Sequence, residues 1–192
     1  MAVAGERKLQ IMQTLAGMLE TPSGEKITTA ALAARLDVSE AALYRHFASK
    51  AQMFEGLIDF IEHALFGLIN KITSSQENSI DQIEAILALL LGFAQKNPGM
   101  TRVLIGDALV NENDRLQIRI NQLHDRLEAT LRQCLRIAAG QGATRQELNT
   151  AATANFLLCY VTGRWHQFAK SGFKRDPAAD FASQWPLLRA AF

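Results

Sequence analysis

Apolar residues recur at helical spacing through almost the whole chain, and that one period organises its reading. Leu9, Met12, Leu15, Ala16 and Leu19 mark a first amphipathic helix, closed by Thr21-Pro22-Ser23-Gly24. Thr28 or Thr29 caps a second helix carrying Ala31, Leu32 and Leu36. Asp37-Val38 turns the chain, and Ser39 offers an N-cap oxygen to a short third helix running to about residue 46. Ser49-Lys50-Ala51-Gln52 has capping-box spacing and opens a long fourth helix to about residue 73. Its stripe is Phe54, Leu57, Ile58, Ile61, Leu65, Leu68 and Ile72.

A polar stretch at 74–78 precedes a fifth helix, which Ser79-Ile80-Asp81-Gln82 caps and Asn97-Pro98-Gly99 stops. A short sixth helix covers about 100–109. The seventh carries Leu116, Ile120, Leu123, Leu127, Leu131 and Cys134 on one face, and Gly140-Gln141-Gly142 is a loop. Thr144-Arg145-Gln146-Glu147 is a third capping box and starts an eighth helix through about 170. A ninth runs from about 180 to the end, with Pro186 interrupting it or shifting its start. No segment sustains period-two alternation. The expected fold class is therefore all-α, with about nine helices. The expected organisation is a three-helix helix-turn-helix DNA reader over 1–50 carried on a larger helical domain over 51–192.

Composition narrows the function. The 192 residues are 48% apolar and 20% charged, ordinary for a soluble globular protein. Net charge is +1, so any nucleic-acid footprint must be local, and residues 1–50 hold six Lys/Arg against five Asp/Glu. No run reaches the ~18 apolar residues of a membrane span, and the most apolar stretch, 83–94, contains Glu84. Gln10, Gln13 and Thr14 interrupt any signal-peptide core, and no membrane is expected to be required. Cys134 and Cys159 are isolated, which suits a reducing cytosol. His63, His124 and His166 fall on separate helices without ligand spacing, so neither a metal nor a cofactor is expected. With no phosphate loop and no nucleophile motif, an enzyme is not expected. Arg115, Arg119 and Arg126, diluted by Asp114, Asp125 and Glu128, read as a solvated face.

The third helix is where chemistry concentrates. Val38, Leu43 and Phe47 should face inward onto Leu32 and the first helix. That leaves Ser39, Glu40, Ala41, Ala42, Tyr44, Arg45 and His46 outward. Alanine methyls suit a thymine methyl, while Tyr44, His46 and Lys50 suit phosphates. Lys50, Thr28 and Thr29 also stand at helix starts, where backbone N–H groups attract an anion. A plain three-helix packing unit with a basic edge is the alternative.

The string ITTAALAARLDVSEAALYRHFASKAQMFEGLI resembles the DNA-binding domain of the tetracycline-repressor (TetR) family, most specifically in its LYRHFASK ending. The resemblance implies three DNA-binding helices and a helical body that dimerises and often holds a small inducer. It implies DNA contact at Thr28, Thr29, Tyr44, His46 and Lys50. Ser39, Ala42 and Arg45 join them as candidates on the third helix.

The body resembles a cell-division branch of the same family, through LALLLGFAQKNPGMTRVLIGDALV, DRLQIRINQLHDRLEATLRQ and FKRDPAADFASQWPLL. That implies a cytoplasmic, nucleoid-associated protein bound at specific chromosomal sites. There it would contact the C-terminal tail of the tubulin-like division protein and disrupt its polymers. It implies partner contact at Phe60, Leu89, Gly92, Lys96 and Asn97, between the fourth and fifth helices. Two departures stand out. Only Arg7 and Lys8 are expected ahead of the first helix, and Leu68 stands where a basic residue is implied.

Pattern alone allows the same groove. Met53, Gly56, Phe60, Ala64 and Gly67 share a face with small residues around one aromatic, as do Ala85, Leu89, Gly92 and Lys96. Gly92 costs about 1 kcal/mol against alanine in a helix interior, which a close backbone approach would offset. Close packing within the domain is the alternative. Leu157, Val161, Trp165 and Phe168, with Phe181, Trp185, Leu187 and Leu188, form a candidate dimer seam or ordinary core. A repressor released from DNA by a small-molecule inducer is the competing function. It would need a cavity between the fifth and eighth helices, with Asn155 and Tyr160 the best polar candidates.

Overall fold

Nine α-helices and one 3₁₀ turn are the regular elements among the described residues, 4–21 and 27–192, of a computed structural model, with no strand among them. In chain order they are α1 (Ala4–Leu19), α2 (Thr29–Arg35), α3 (Glu40–Tyr44), α4 (Lys50–Ser75), α5 (Ser79–Lys96) and α6 (Pro98–Leu104). The 3₁₀ turn Asp107–Leu109, α7 (Asp114–Gly140), α8 (Thr150–Lys170) and α9 (Phe181–Arg189) follow. The stop signal Pro22-Ser23-Gly24 lies outside the described residues.

Several helix starts follow the expected chemistry. Thr28 Oγ1 accepts from the Ala31 N–H at 3.1 Å, and Ser39 Oγ accepts from the Ala42 N–H at 3.3 Å. Each satisfies a first-turn donor with no partner inside its helix. At α4 the capping box closes in both directions. Ser49 Oγ accepts from Gln52 N–H (3.2 Å), and Gln52 Oε1 accepts from Ala48 N–H (2.8 Å).

Other ends differ from expectation. At α5, Asn78 Oδ1 accepts from the Ile80 N–H (2.9 Å), the role expected of Ser79. Ser79 falls on the buried face, and its hydroxyl has no partner. Gln82 donates instead to the carbonyls of Thr73 (3.3 Å) and Gln76 (2.6 Å), which fastens the start of α5 to the end of α4. The Thr144–Glu147 box caps nothing, since Glu147 is left-handed at φ +58°. Asn149 Oδ1 starts α8 by accepting from Ala152 N–H at 3.0 Å. The helix expected over 100–109 is broken by Gly106, whose φ of +78° closes α6. α3 ends at Tyr44 rather than about 46, in a turn where the His46 and Phe47 N–H groups both donate to the Leu43 carbonyl. Pro186 lies inside α9.

Packing divides the chain into two compact units, Met1–Ile61 with Asn97–Ile120, and Glu62–Lys96 with Asn121–Phe192. In the first, Ile11, Leu15, Ala16 and Leu19 of α1 are buried, as are Leu32, Leu43, Phe47, Met53, Phe54 and Leu57. Leu9 is exposed, and Ile11 takes its expected place. α6 packs on α1 so closely that a Cβ on Gly99 would stand 1.9 Å from the Ala16 carbonyl oxygen. In the second unit α5 packs on α8, and the Trp165 indole N–H donates to the Leu90 carbonyl at 3.1 Å. Cys134 is buried there with its Sγ 3.5 Å from Gln82 Oε1, and burial pushes the thiol above its ordinary pKa. It stays a neutral, unreactive thiol near pH 7.

The α7 arginines lie on a largely solvated face, as expected, and each also pairs with a carboxylate of α4. Arg115 pairs with Glu55 (2.8 Å) and Arg119 with Asp59 (2.6 Å) in the first unit, and Arg126 with Glu62 (2.7 Å) in the second. These partly exposed pairs contribute about 0–1 kcal/mol each, so their main effect is to set the register of α4 along α7. Arg126 also lies 3.7 Å from the centre of the Phe66 ring. That contact explains a change of face on α4. Phe66 and Ile69 are buried, while Leu68, expected in the core stripe, is 42% exposed.

Candidate nucleic-acid interface

The first unit assembles the expected reader. Leu43 and Phe47 are buried, so α3 has one anchored side, and Tyr44 (46% exposed) and Arg45 stand on the other. Val38 is half-buried. Phe47 is held from two directions, with Lys8 Nζ 5.5 Å from its ring centre and Gly56 against its edge. A Cβ on Gly56 would lie 3.0 Å from that ring, so glycine lets α4 approach the turn after α3 closely. Ser39 is exposed, and Ala42 and His46 are half-buried. The helix, its N-cap and the turn after it therefore offer two small positions, a phenol, a guanidinium and a half-buried imidazole.

Three expected contacts are already engaged within the chain. The Thr28 hydroxyl oxygen caps α2 and keeps its own proton to donate. The Thr29 hydroxyl donates to Glu40 Oε2 at 2.5 Å, which pins α2 to α3. The Lys50 ammonium forms an ion pair with the Glu112 carboxylate. Arg7 and Lys8 lie within α1 rather than on an arm ahead of it, because α1 begins at Ala4. The sequence placed Glu40 outward but not its bond to Thr29, and it gave no sign of Glu112, since a carboxylate carries no positive mark of DNA binding.

The residues expected at the division-protein groove fall in both units. In the first, Phe60 is 37% exposed and Asn97 half-buried. Met53 and Gly56, expected on Phe60's open face, are packed inside. In the second, Leu89 and Gly92 are half-buried, Lys96 is exposed, and a Cβ on Gly92 would meet open space. Nothing in the neighbouring helices lies within 4 Å of a Cβ placed on Gly92, so close packing against that position does not explain the glycine.

The expected dimer seam is corrected. Leu157, Val161, Trp165 and Phe168 are core residues of the protomer, and Trp185 is half-buried between Phe181 and Phe192. A fully buried side chain has no surface for a second copy. The helix period placed these residues on one face but did not say which face meets the protomer. The opposite side of α8 carries exposed Ala152, Phe156, Cys159, Gly163 and His166, and α9 exposes Ala182, Pro186 and Leu187, the last 74% accessible.

The polar groups expected to line an inducer cavity do not converge between α5 and α8. Asn155 is exposed and donates to Glu128 (2.9 Å). The Tyr160 hydroxyl donates to Gln184 on α9 (2.6 Å), and burial raises its pKa against the opposing pull of Arg164. On these two packed helices Ile86, Leu87, Leu90, Val161 and Trp165 are buried. Among the described residues no helix is long and apolar enough to cross a membrane.

Residues 25–57 match the family described as "Bacterial regulatory proteins, tetR family", and residues 77–192 match "Tetracyclin repressor-like, C-terminal domain", the SlmA-like form. The chain is 52% identical to nucleoid occlusion factor SlmA of Alteromonas mediterranea, over 97% of this chain and 95% of that one. It is 50% identical to SlmA of Idiomarina loihiensis, over 95% and 93%. This chain belongs to the SlmA nucleoid occlusion family. Within the wider TetR fold, a regulator from Haloarcula marismortui superimposes with a TM-score of 0.82 at 14% identity, covering 98% of both chains. Such distant likeness shows the fold alone. The SlmA assignment rests on relatives that match body and reader together.

Proposed function

We propose that this SlmA-family chain is a sequence-specific DNA-binding nucleoid occlusion factor. Held at chromosomal sites, it antagonises polymerisation of the tubulin-like division protein and so prevents septum formation over the nucleoid. The single observation that carries the DNA half is the sidedness of α3 and the turn after it, with Leu43 and Phe47 buried and Tyr44 and Arg45 outward. Thr28, Thr29, Ser39, Ala42, Tyr44, Arg45, His46 and Lys50 form the DNA face. Tyr44, His46 and Lys50 serve the phosphates, and the small side of α3 approaches the base edges. The protein works in the cytoplasm on the nucleoid and needs no membrane.

Phe60, Leu89, Gly92, Lys96 and Asn97 take the C-terminal tail of the division protein. Within the second unit, a glycine open to solvent and a cation in the last turn of the same helix suit an extended acidic peptide. Phe60→Ala and Lys96→Glu are each expected to weaken tail binding about tenfold or more, while fluorescence anisotropy on DNA stays at the wild-type value. Loss of DNA binding in both variants, or retention of tail binding in both, would overturn the assignment.

A homodimer presents two reading helices to successive turns of the duplex. Its seam is the exposed side of α8 and α9, around Phe156, Cys159, Gly163 and Leu187. Phe156→Glu buries a charge at that seam and is expected to yield folded monomers by analytical ultracentrifugation, with circular dichroism unchanged. A Phe156→Glu protein that remains dimeric places the seam elsewhere.

A further inference from the structure

Lys50 is the first residue of α4, and its ammonium is not free in the DNA-free protein. It pairs with Glu112, 62 positions away in sequence, and lies 5.7 Å from the centre of the Phe54 ring. Both side chains are largely covered, Lys50 at 21% and Glu112 at 14% accessibility. An ion pair this shielded is not dissolved by ordinary salt screening. The ammonium has further N–H donors, but a DNA phosphate that approaches them meets the Glu112 carboxylate as a like charge and a competitor for the same cation.

The surroundings of Glu112 allow its displacement. It sits in the short turn between the 3₁₀ turn and α7, directly after Asn111, whose φ is +65°. Beside it is a cavity of about 240 Å³ that Phe54, Arg102 and Asp107 also line. Arg102 uses Nε on Asp107 (2.6 Å) and Nη1 on the Leu19 carbonyl (3.2 Å), which leaves Nη2 for a further acceptor. A displaced Glu112 has both room and a cationic neighbour.

We infer that Glu112 stands in for a DNA phosphate on Lys50, and that DNA binding exchanges this internal carboxylate for the phosphate. Glu112 is then a positioning residue of the DNA interface. It keeps Lys50 ordered at the start of α4 but sets the affinity lower than Lys50 alone would give. The exchange links occupancy of the DNA face to the turn that begins α7. The inference rests on the proposed Lys50–phosphate contact, and the experiment separates the two.

The test uses the full-length dimer and a duplex that the protein selects from a random pool, read by fluorescence anisotropy across a salt series. Glu112→Gln keeps the shape and removes the competing charge, and is expected to bind about fivefold more tightly near 0.1 M salt. Glu112→Asp retains the carboxylate and should stay near the wild-type affinity. Lys50→Ala should bind more weakly, with a salt slope shallower by about 0.9 for each phosphate it no longer neutralises. Adding Glu112→Gln to Lys50→Ala should then change nothing, which a merely structural role of Glu112 would not produce. If Lys50→Ala weakens binding but Glu112→Gln leaves it equal or weaker, the exchange is wrong and the lysine contact survives. If Lys50→Ala alters neither affinity nor slope, the contact itself is wrong and the exchange falls with it.

Discussion

Replacing Gly99 with alanine is expected to lower the melting temperature by about 6–12 °C and to remove specific DNA binding at growth temperature. The added Cβ would lie 1.9 Å from the Ala16 carbonyl oxygen and 2.9 Å from its carbon, with the Leu19 Cβ at 3.2 Å. Overpacking ordinarily costs about 1–3 kcal/mol when side chains give way. Here the obstacle is helix backbone, so the upper end, about 3 kcal/mol, applies. α6 must lift from α1, and α1 supplies Lys8 over Phe47 and Met12 beside Gly56, contacts that steady the reading helix. Gly92→Ala is the control. Its Cβ meets open space, so it should gain up to about 1 kcal/mol in helix propensity. Calorimetry on the two variants checks both signs, and an unchanged melting point for Gly99→Ala would contradict the close α1–α6 packing.

Trp165→Ala is expected to destabilise the body by about 3–5 kcal/mol. The ring is fully buried, its N–H is bonded to the Leu90 carbonyl, and His124 lies 6.0 Å away ring to ring. Trp165→Phe keeps much of the bulk and loses the hydrogen bond, for an expected loss of about 1–2 kcal/mol beyond the smaller volume. The signature is reduced stability at every protein concentration, because this residue is core and not seam. A variant that merely dissociates, with its protomer melt unchanged, would return Trp165 to the dimer interface. Phe156→Glu should show the opposite behaviour.

Periodicity made the all-α class and most of the helices legible, because a stripe such as Leu116, Ile120, Leu123, Leu127 and Leu131 has one buried solution. It failed where one helix has two faces to fill. On α8 the stripe of Trp165 could face the protomer or a second copy, and only packing decided. On α4 the buried face turns at Phe66, under Arg126, and leaves Leu68 outside. Capping signals were local and often right, as at Thr28, Ser39 and Ser49. They misled where a better placed Asn stood nearby, as at Asn78 and Asn149. Tyr44 and Arg45 could be placed outward by counting from Leu43. The Lys50–Glu112 pair could not, since two side chains 62 residues apart leave no periodic trace. Gly99 read as a helix stop, and its close approach to Ala16 became visible only in three dimensions.

The central claim is that DNA occupancy turns this protein into an antagonist of division-protein polymers. Sedimentation of those polymers, with the dimer added alone, with a selected duplex and with a scrambled duplex, tests it most directly. The polymer pellet should shrink steeply only with the selected duplex, and should stay intact when Phe60→Ala is used. A pellet that shrinks equally without DNA, or that persists in all three mixtures, contradicts the account.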